Sequence, residues 1–379
     1  MCELTINAST DTVHHYGYAN ETKVVAVADH SYHENGTSHK LVVTAGNVVI
    51  ENSGVVFDLS ATDGATATVT NNGGNVMEST VASVPSSTTF EINSLSQLES
   101  FRDATNSGED FLGKIINLNV DVTLNGAWKP ISNYWRKATV VAEDKWFAGE
   151  FNGNGHTIYG LTNKNLLPKD TNTGYNSSTP AGGTEVVYGL FASVNGANIH
   201  NLKLRNVDIV SMDPLLGDGV GALIGYSAGN TIVSNIEVNG SVIGYDAVGG
   251  IIGRSRGTSL TMNDCVNNAQ VKAVRLCAGL VGQLGVTDAA SSINRCTNNG
   301  NVVAEYITDP NTRAGNNHYW AAGVVNLNGV AASGAAVYTI NKCTNNGTIT
   351  NAGQNSANAS LIYGCCGDTP TQGKVVVIE

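Results

Sequence analysis

The sequence is poor in charge. Asp, Glu, Lys and Arg make up 13% of its 379 residues, against about 25% in ordinary soluble domains. Disordered chains are normally highly charged and poor in β-branched residues, so low charge with abundant Val, Ile and Thr excludes a disordered chain. Positive charge is the scarcer sign, 20 Lys and Arg against 31 Asp and Glu for a net charge of −11. That balance disfavours nucleic acid and anionic membrane as partners, because both require a basic footprint. Seven prolines are too few for a collagen-like repeat. No run approaches the roughly 18 apolar residues of a membrane-spanning helix. The seven cysteines are an odd number, and their spacing forms neither a disulfide framework nor a C-x-x-C metal pair. Cys365 and Cys366 are adjacent, a poor geometry for bonding one another. Free buried thiols are the expectation, and no cofactor is implied.

Small polar residues take the place of charge, with 43 Gly and 45 Asn. Both tolerate the left-handed backbone of tight turns, so the composition reads as all-β with many turns. The first residues, Met1 to Thr5, lack the basic and apolar regions of a signal peptide. Two localisations fit an extracellular protein: a virion component released by lysis, or a cell-surface protein stripped of its leader, with Cys2 as a lipoprotein cysteine.

Residues 1–80 give short alternating runs separated by turn signals, which predicts a small sandwich-like β domain suited to attachment. The Ser/Thr-rich stretch within 81–93 reads as a linker. Ser94 and Gln97 then have capping-box spacing, and Leu95, Leu98 and Phe101 sit beside them at helical intervals. A short helix is expected over 94–105, capping the first coil of a repeating region.

From about residue 110 the sequence repeats. One column runs through Gly221–Gly225, Gly249–Gly253, Ala278–Gly282 and Ala322–Asn326, with a degenerate first copy at Gly189–Ala192. A second aligns Leu202, Ile236, Cys265, Cys296 and Cys343, with the Asn pairs 267/268, 298/299 and 345/346 behind the cysteines. Strands of four to six residues between Gly or Asn corners, without intervening helices, predict a parallel β-helix over 94–379. The aligned residues would stack inward, and the Asn amides would bond along the axis. The extra residues of the last interval are expected in a loop near 308–319.

Trp128-Lys-Pro-Ile131 and Phe147-Ala-Gly-Glu-Phe-Asn-Gly-Asn-Gly-His-Thr-Ile-Tyr-Gly-Leu161 resemble the opening of the GLUG-motif proteins, familiar from Bacteroidetes surfaces, adhesins and some phage proteins. Asn152 stands where that family usually has Asp, and the interval between the two segments carries an insertion. The resemblance covers about residues 88–379 and implies a right-handed parallel β-helix. It does not imply one activity, since the scaffold serves several roles.

Polysaccharide hydrolases and lyases on such scaffolds need carboxylates projecting from neighbouring coils on one face. Asp208, Glu237, Asp264 and Glu305 occupy different column offsets and build no such pair. Asp213, Asp218 and Asp246 lie in connecting segments that the fold could bring together. His156, inside a Gly-Asn-Gly-His-Thr turn, is expected to bond the adjacent backbone. His30 and His33 lack an evident carboxylate partner in sequence, so no metal site is expected. Tyr134, Trp135, Tyr319 and Trp320 are the candidate ligand residues, because flat aromatics stack on sugar rings, whereas Trp128 is expected in the core.

The expectation is therefore a non-enzymatic structural and adhesion protein presenting loops to glycan or host-surface protein. Its N-terminal domain would join a larger virion or cell-surface assembly, and trimerisation is open. The alternative is a polysaccharide-degrading enzyme on the same scaffold.

Overall fold

A computed structural model describes residues 2–9, 11–27, 31–132, 145–164, 187–211, 219–285, 290–305, 320–328, 337–351, 359–360, 362–366 and 375–379. The chain is all-β apart from the helix Leu95–Ser107, its strands lie mostly parallel, and they form several sheets with a repeating strand order, an architecture of solenoid type. No helix among the described residues is long and apolar enough to cross a membrane. Two units are present, residues 1–104 with 113–120, and residues 105–112 with 121–379.

The first unit departs from the expected sandwich. Its seven strands from Glu3 to Ser79 form one sheet in which every pair is parallel, whereas sandwich sheets are antiparallel. Glu3 pairs with Glu21, Tyr18 with Thr37, Thr37 with Val55 and Val55 with Asn75, steps of 18, 19, 18 and 20 residues. The turn signals are coil corners rather than hairpins. Gly17, Gly36, Gly54 and Gly74 mark one such corner: a Cβ on Gly36 would strike the Gly17 backbone, and one on Gly74 the carbonyl of Gly54. This close approach lets Thr37, Val55 and Asn75 donate to the carbonyls of Gly17, Gly36 and Gly54 at 2.8–2.9 Å. Val24, Tyr32, Leu41, Val43, Val48, Ile50 and Leu59 fill the core between the strands.

Residues 81–93, read as a linker from sequence, belong to the packed structure of this unit. Ser83 Oγ bonds the carbonyl of Val69 at 3.1 Å, Ser87 N–H that of Val76 at 2.8 Å, and Thr89–Ile92 is a strand paired with Ile115–Leu118. The helix begins at its capping box: Ser94 Oγ accepts from Gln97 N–H at 3.2 Å, and Gln97 Oε1 from Asn93 N–H at 2.8 Å. Leu98 and Phe101 are fully buried, with Phe101 6.0 Å from the ring of Phe90. Ser100 bonds Thr37 and Gln97 bonds the carbonyl of Asn52, so these helix contacts fall within the first unit.

In the second unit the predicted columns are in register. Val220, Val248, Cys277 and Ala321 pair in succession, as do Ile224, Ile252, Val281 and Val325. These strands belong to a five-stranded and a six-stranded sheet, and a third, longer sheet carries the second column. Leu202 pairs with Ile236, and the pairings Glu237–Val266, Val266–Thr297 and Thr297–Thr344 set Cys265, Cys296 and Cys343 in line with them. The first four of these five side chains are at most 1% exposed. Each is preceded by a residue with positive φ: Asn201 at 57°, Asn235 at 51°, Asp264 at 56°, Arg295 at 51° and Lys342 at 51°. A left-handed residue turns the chain, and its recurrence keeps each corner above the last.

The asparagine amides bond along the stack, as the column predicts. Asn267 Nδ2 donates to Asn298 Oδ1 at 2.8 Å, and Asn298 Nδ2 to Asn345 Oδ1 at 2.7 Å. The Nδ2 groups of Asn267, Asn298 and Asn345 also reach the carbonyls of Ala269, Gly300 and Gly347. A second ladder joins Asn346 to Asn299 and Asn299 to Asn268, each at 2.8 Å, on the outer side. Gly250 and Gly279 are required opposite the buried ladder, since a Cβ there would strike the carboxamides of Asn267 and Asn298. The loop expected near 308–319 lies outside the described residues.

Candidate functional site

Of the four aromatic candidates, Tyr134, Trp135 and Tyr319 lie outside the described residues. Trp320 starts the strand Trp320–Ala322, opposite Leu276, and its backbone N–H donates to the carbonyl of Arg275 at 3.0 Å. The side chain is half-buried, and its indole Nε1 is enclosed with no hydrogen-bond partner among the described residues. Trp128 is a core residue, 4% exposed, with Nε1 donating to Leu190 at 3.1 Å.

One coil corner beside this strand collects charge. Asp246, 6% exposed, receives Arg275 Nη1 at 2.6 Å and Arg254 Nη2 at 3.6 Å, while its other oxygen accepts Ala247 N–H at 2.9 Å. Two guanidinium groups thus converge on one carboxylate. Asp213 and Asp218, weighed with Asp246 from sequence, lie outside the described residues. Asp246 and Arg275 occupy equivalent positions of successive coils, given the pairing of Val248 with Cys277. Opposite charges one repeat apart are therefore the signal that could have paired them.

The same logic accounts for three more of the scattered carboxylates. Asp264 holds Arg295 through two bonds of 2.7 and 2.6 Å, Glu237 meets Arg205 at 2.6 Å, and Glu305 pairs with Lys272. The Arg295 hydrogen bond keeps the Asp264 carboxyl below its ordinary range. His156 reaches a side chain rather than the backbone expected: Nδ1 is 3.0 Å from Asp121 Oδ1, which also accepts Thr157 N–H at 2.9 Å. That backbone donor, then the imidazole, hold the Asp121 carboxyl low.

The first unit carries a denser polar group. Contrary to the sequence reading, His33 does have a carboxylate partner, one coil further on, and so does His15. His15 Nδ1 lies 2.8 Å from Glu34 Oε1, and His33 Nδ1 2.7 Å from Glu51 Oε1. Glu34 is fully buried and also takes Tyr32 OH at 2.8 Å, Gly36 N–H at 3.0 Å and the Ser38 hydroxyl. Burial first, then the Glu34 charge, push the Tyr32 phenol far above its ordinary range. His33 Nε2 is 2.8 Å from Ser31 Oγ, and its ring stacks on His14 with centroids 4.6 Å apart. No group of three His, Cys, Asp or Glu residues suited to a metal ion occurs among the described residues. His30 lies outside them.

Fold and site together define an all-β protein of parallel, solenoid-type architecture whose charged groups mostly tie one coil to the next. No family model matches the chain. It is 26% identical over 202 residues to halomucin from Haloquadratum walsbyi (strain DSM 16790 / HBSQ001), a match covering 50% of this chain and 2% of halomucin. The chain thus spans a small fraction of that relative's length.

Proposed function

We propose that the chain is a non-enzymatic structural and adhesion protein, of the GLUG-motif type, displayed outside a bacterial cell or on a virion. Its second unit would be a right-handed parallel β-helix, a stiff rod whose loops meet glycan or a host-surface protein. The first unit would link it to a larger assembly.

The observation that carries this reading is the continuous asparagine ladder from Asn267 through Asn298 to Asn345. It ties successive coils by side chains as well as backbone, which suits a rigid support. The cross-coil pairing of Asp246, Glu237, Asp264 and Glu305 with arginine or lysine also favours support over acid/base chemistry. Trp320, beside the Asp246–Arg275 pair, would supply one aromatic surface for a sugar, with Tyr134, Trp135 and Tyr319 as the other proposed contacts. The likeness to a short part of halomucin is compatible with a module of a longer protein.

A glycan array combined with a reducing-end assay on the bound polysaccharides tests the proposal. Retention without release of reducing ends is expected, weakened by Trp320→Ala. Saccharide release that a single carboxylate substitution abolishes would establish the polysaccharide-degrading alternative instead.

A further inference from the structure

In the strand Ser31–Glu34, Tyr32 and Glu34 are fully buried, so Ser31 and His33 share the opposite, partly exposed face. His33 is held from three directions. Glu51 Oε1 lies 2.7 Å from Nδ1, Ser31 Oγ lies 2.8 Å from Nε2, and the His14 ring of the preceding coil stacks against it at 28° between planes. Glu51 is anchored in turn by Asn72 Nδ2 at 3.3 Å, and the His33 hydrogen bond holds its carboxyl below the ordinary range. In the tautomer that carries its proton on Nδ1, His33 donates to Glu51 and offers Nε2 as an acceptor for the Ser31 hydroxyl. Parallel register sets Asn47 directly opposite Ser31, on the same face and exposed. In-register neighbours stand about 4.8 Å apart, which brings a carboxamide N–H within reach of an oxygen on a carbon bonded to Ser31 Oγ.

A hydroxyl, an imidazole and a carboxylate joined by two short hydrogen bonds are the arrangement that activates a serine. We propose that Ser31, His33, Glu51 and Asn47 form a nucleophilic serine centre that hydrolyses small carboxylic esters. Ser31 Oγ attacks the ester carbonyl while its proton passes to His33 Nε2, and the Asn47 amide donates to the oxyanion. Collapse breaks the bond to the alcohol oxygen, which leaves with the proton from His33. Water, deprotonated by the same ring, then attacks the acyl-serine, releasing the carboxylic acid and restoring the Ser31 hydroxyl. Glu51 is a positioning residue that fixes the tautomer through Nδ1. Asn47 is exposed while Ser31 and His33 are only partly so, which suits short acyl groups. The activity goes beyond display and lies wholly in the first unit, so it stands or falls independently of glycan attachment by the second.

The test uses the full chain with p-nitrophenyl acetate and the serine reagent diisopropyl fluorophosphate, with mass spectrometry to locate the modified residue. Modification is expected at Ser31. Ser31→Ala should lower kcat/KM by at least about 100-fold, and Asn47→Ala should lower kcat by about 100-fold. Both sit on the partly exposed face, and circular dichroism checks that the fold is kept. Glu51→Gln should lower kcat with KM unchanged and displace the pH–rate profile; the titratable groups facing His33 among the described residues are Glu51 and His14, with the His15–Glu34 pair one residue along. Absence of label at Ser31, or a rate retained in Ser31→Ala, overturns the proposal, because an imidazole alone can hydrolyse this ester without a serine. An unaltered pH profile in Glu51→Gln overturns the role given to that carboxylate.

Discussion

The left-handed corners of the second unit show how residue choice and backbone demand agree or conflict. Asn and Asp enter this conformation at little cost, because their short polar side chains bond locally, whereas other side chains crowd the following carbonyl. Asn201, Asn235 and Asp264 meet the demand directly. Arg295 does not, but its two bonds to Asp264, one coil below, offset the strain. Lys342 occupies the same corner at φ 51° with an exposed side chain. Lys342→Asn should therefore stabilise the protein by about 0.5–1 kcal/mol, read as a higher urea midpoint with unchanged slope. A lower midpoint would show that the corner does not carry strain.

At the scale of the element, the thiol column and the asparagine ladders repeat one local geometry coil after coil. The thiols of Cys265, Cys296 and Cys343 each lie 3.2–3.5 Å from the carbonyl two residues before. Burial raises the Cys277 thiol, while contact with the neighbouring cysteine and then burial raise Cys343, and contact with Cys265 raises Cys296. In the unfolded chain a thiol ionises near pH 8.5. Above that pH the unfolded state binds fewer protons than the folded one, so stability is full below about pH 8.5 and falls as pH rises, by up to about 1.4 kcal/mol per unit for each such thiol. Denaturant titrations from pH 7 to 10 should show this decline, and Cys277→Ala should reduce its slope. An unchanged slope in that variant would mean that the thiol ionises as freely when folded. The column itself was legible in the sequence because Asn-Lys-Cys, Asn-Arg-Cys and the Asn pair beyond each cysteine recur at fixed offsets. In the first unit the coils share little beyond Gly17, Gly36, Gly54 and Gly74, while Leu, Val and Tyr interchange freely in its core. A step of 18–20 residues therefore passed for the spacing of antiparallel strands.

At the scale of the whole molecule, both units solve the edge and turn problems of β-structure by stacking coils in parallel register, and both place their polar groups to bond between coils. That habit also explains which parts of the site were legible. Partners one coil apart, such as Asp246 with Arg275, can be paired only once the repeat is known. In the first unit the repeat was hidden, so Ser31, His33 and Glu51 read as unrelated residues. The four aromatic candidates came from scarcity rather than register, and of these Trp320 alone falls among the described residues. The most direct test of the stacked-coil account compares Asn298→Ala with Asn299→Ala by urea unfolding. Asn298 is fully buried and bonded to both neighbouring coils, so its loss strips partners from Asn267 and Asn345 and should cost about 3 kcal/mol. Asn299 forms the exposed ladder and should cost less than about 1 kcal/mol. Equal and small losses at both positions would contradict the account.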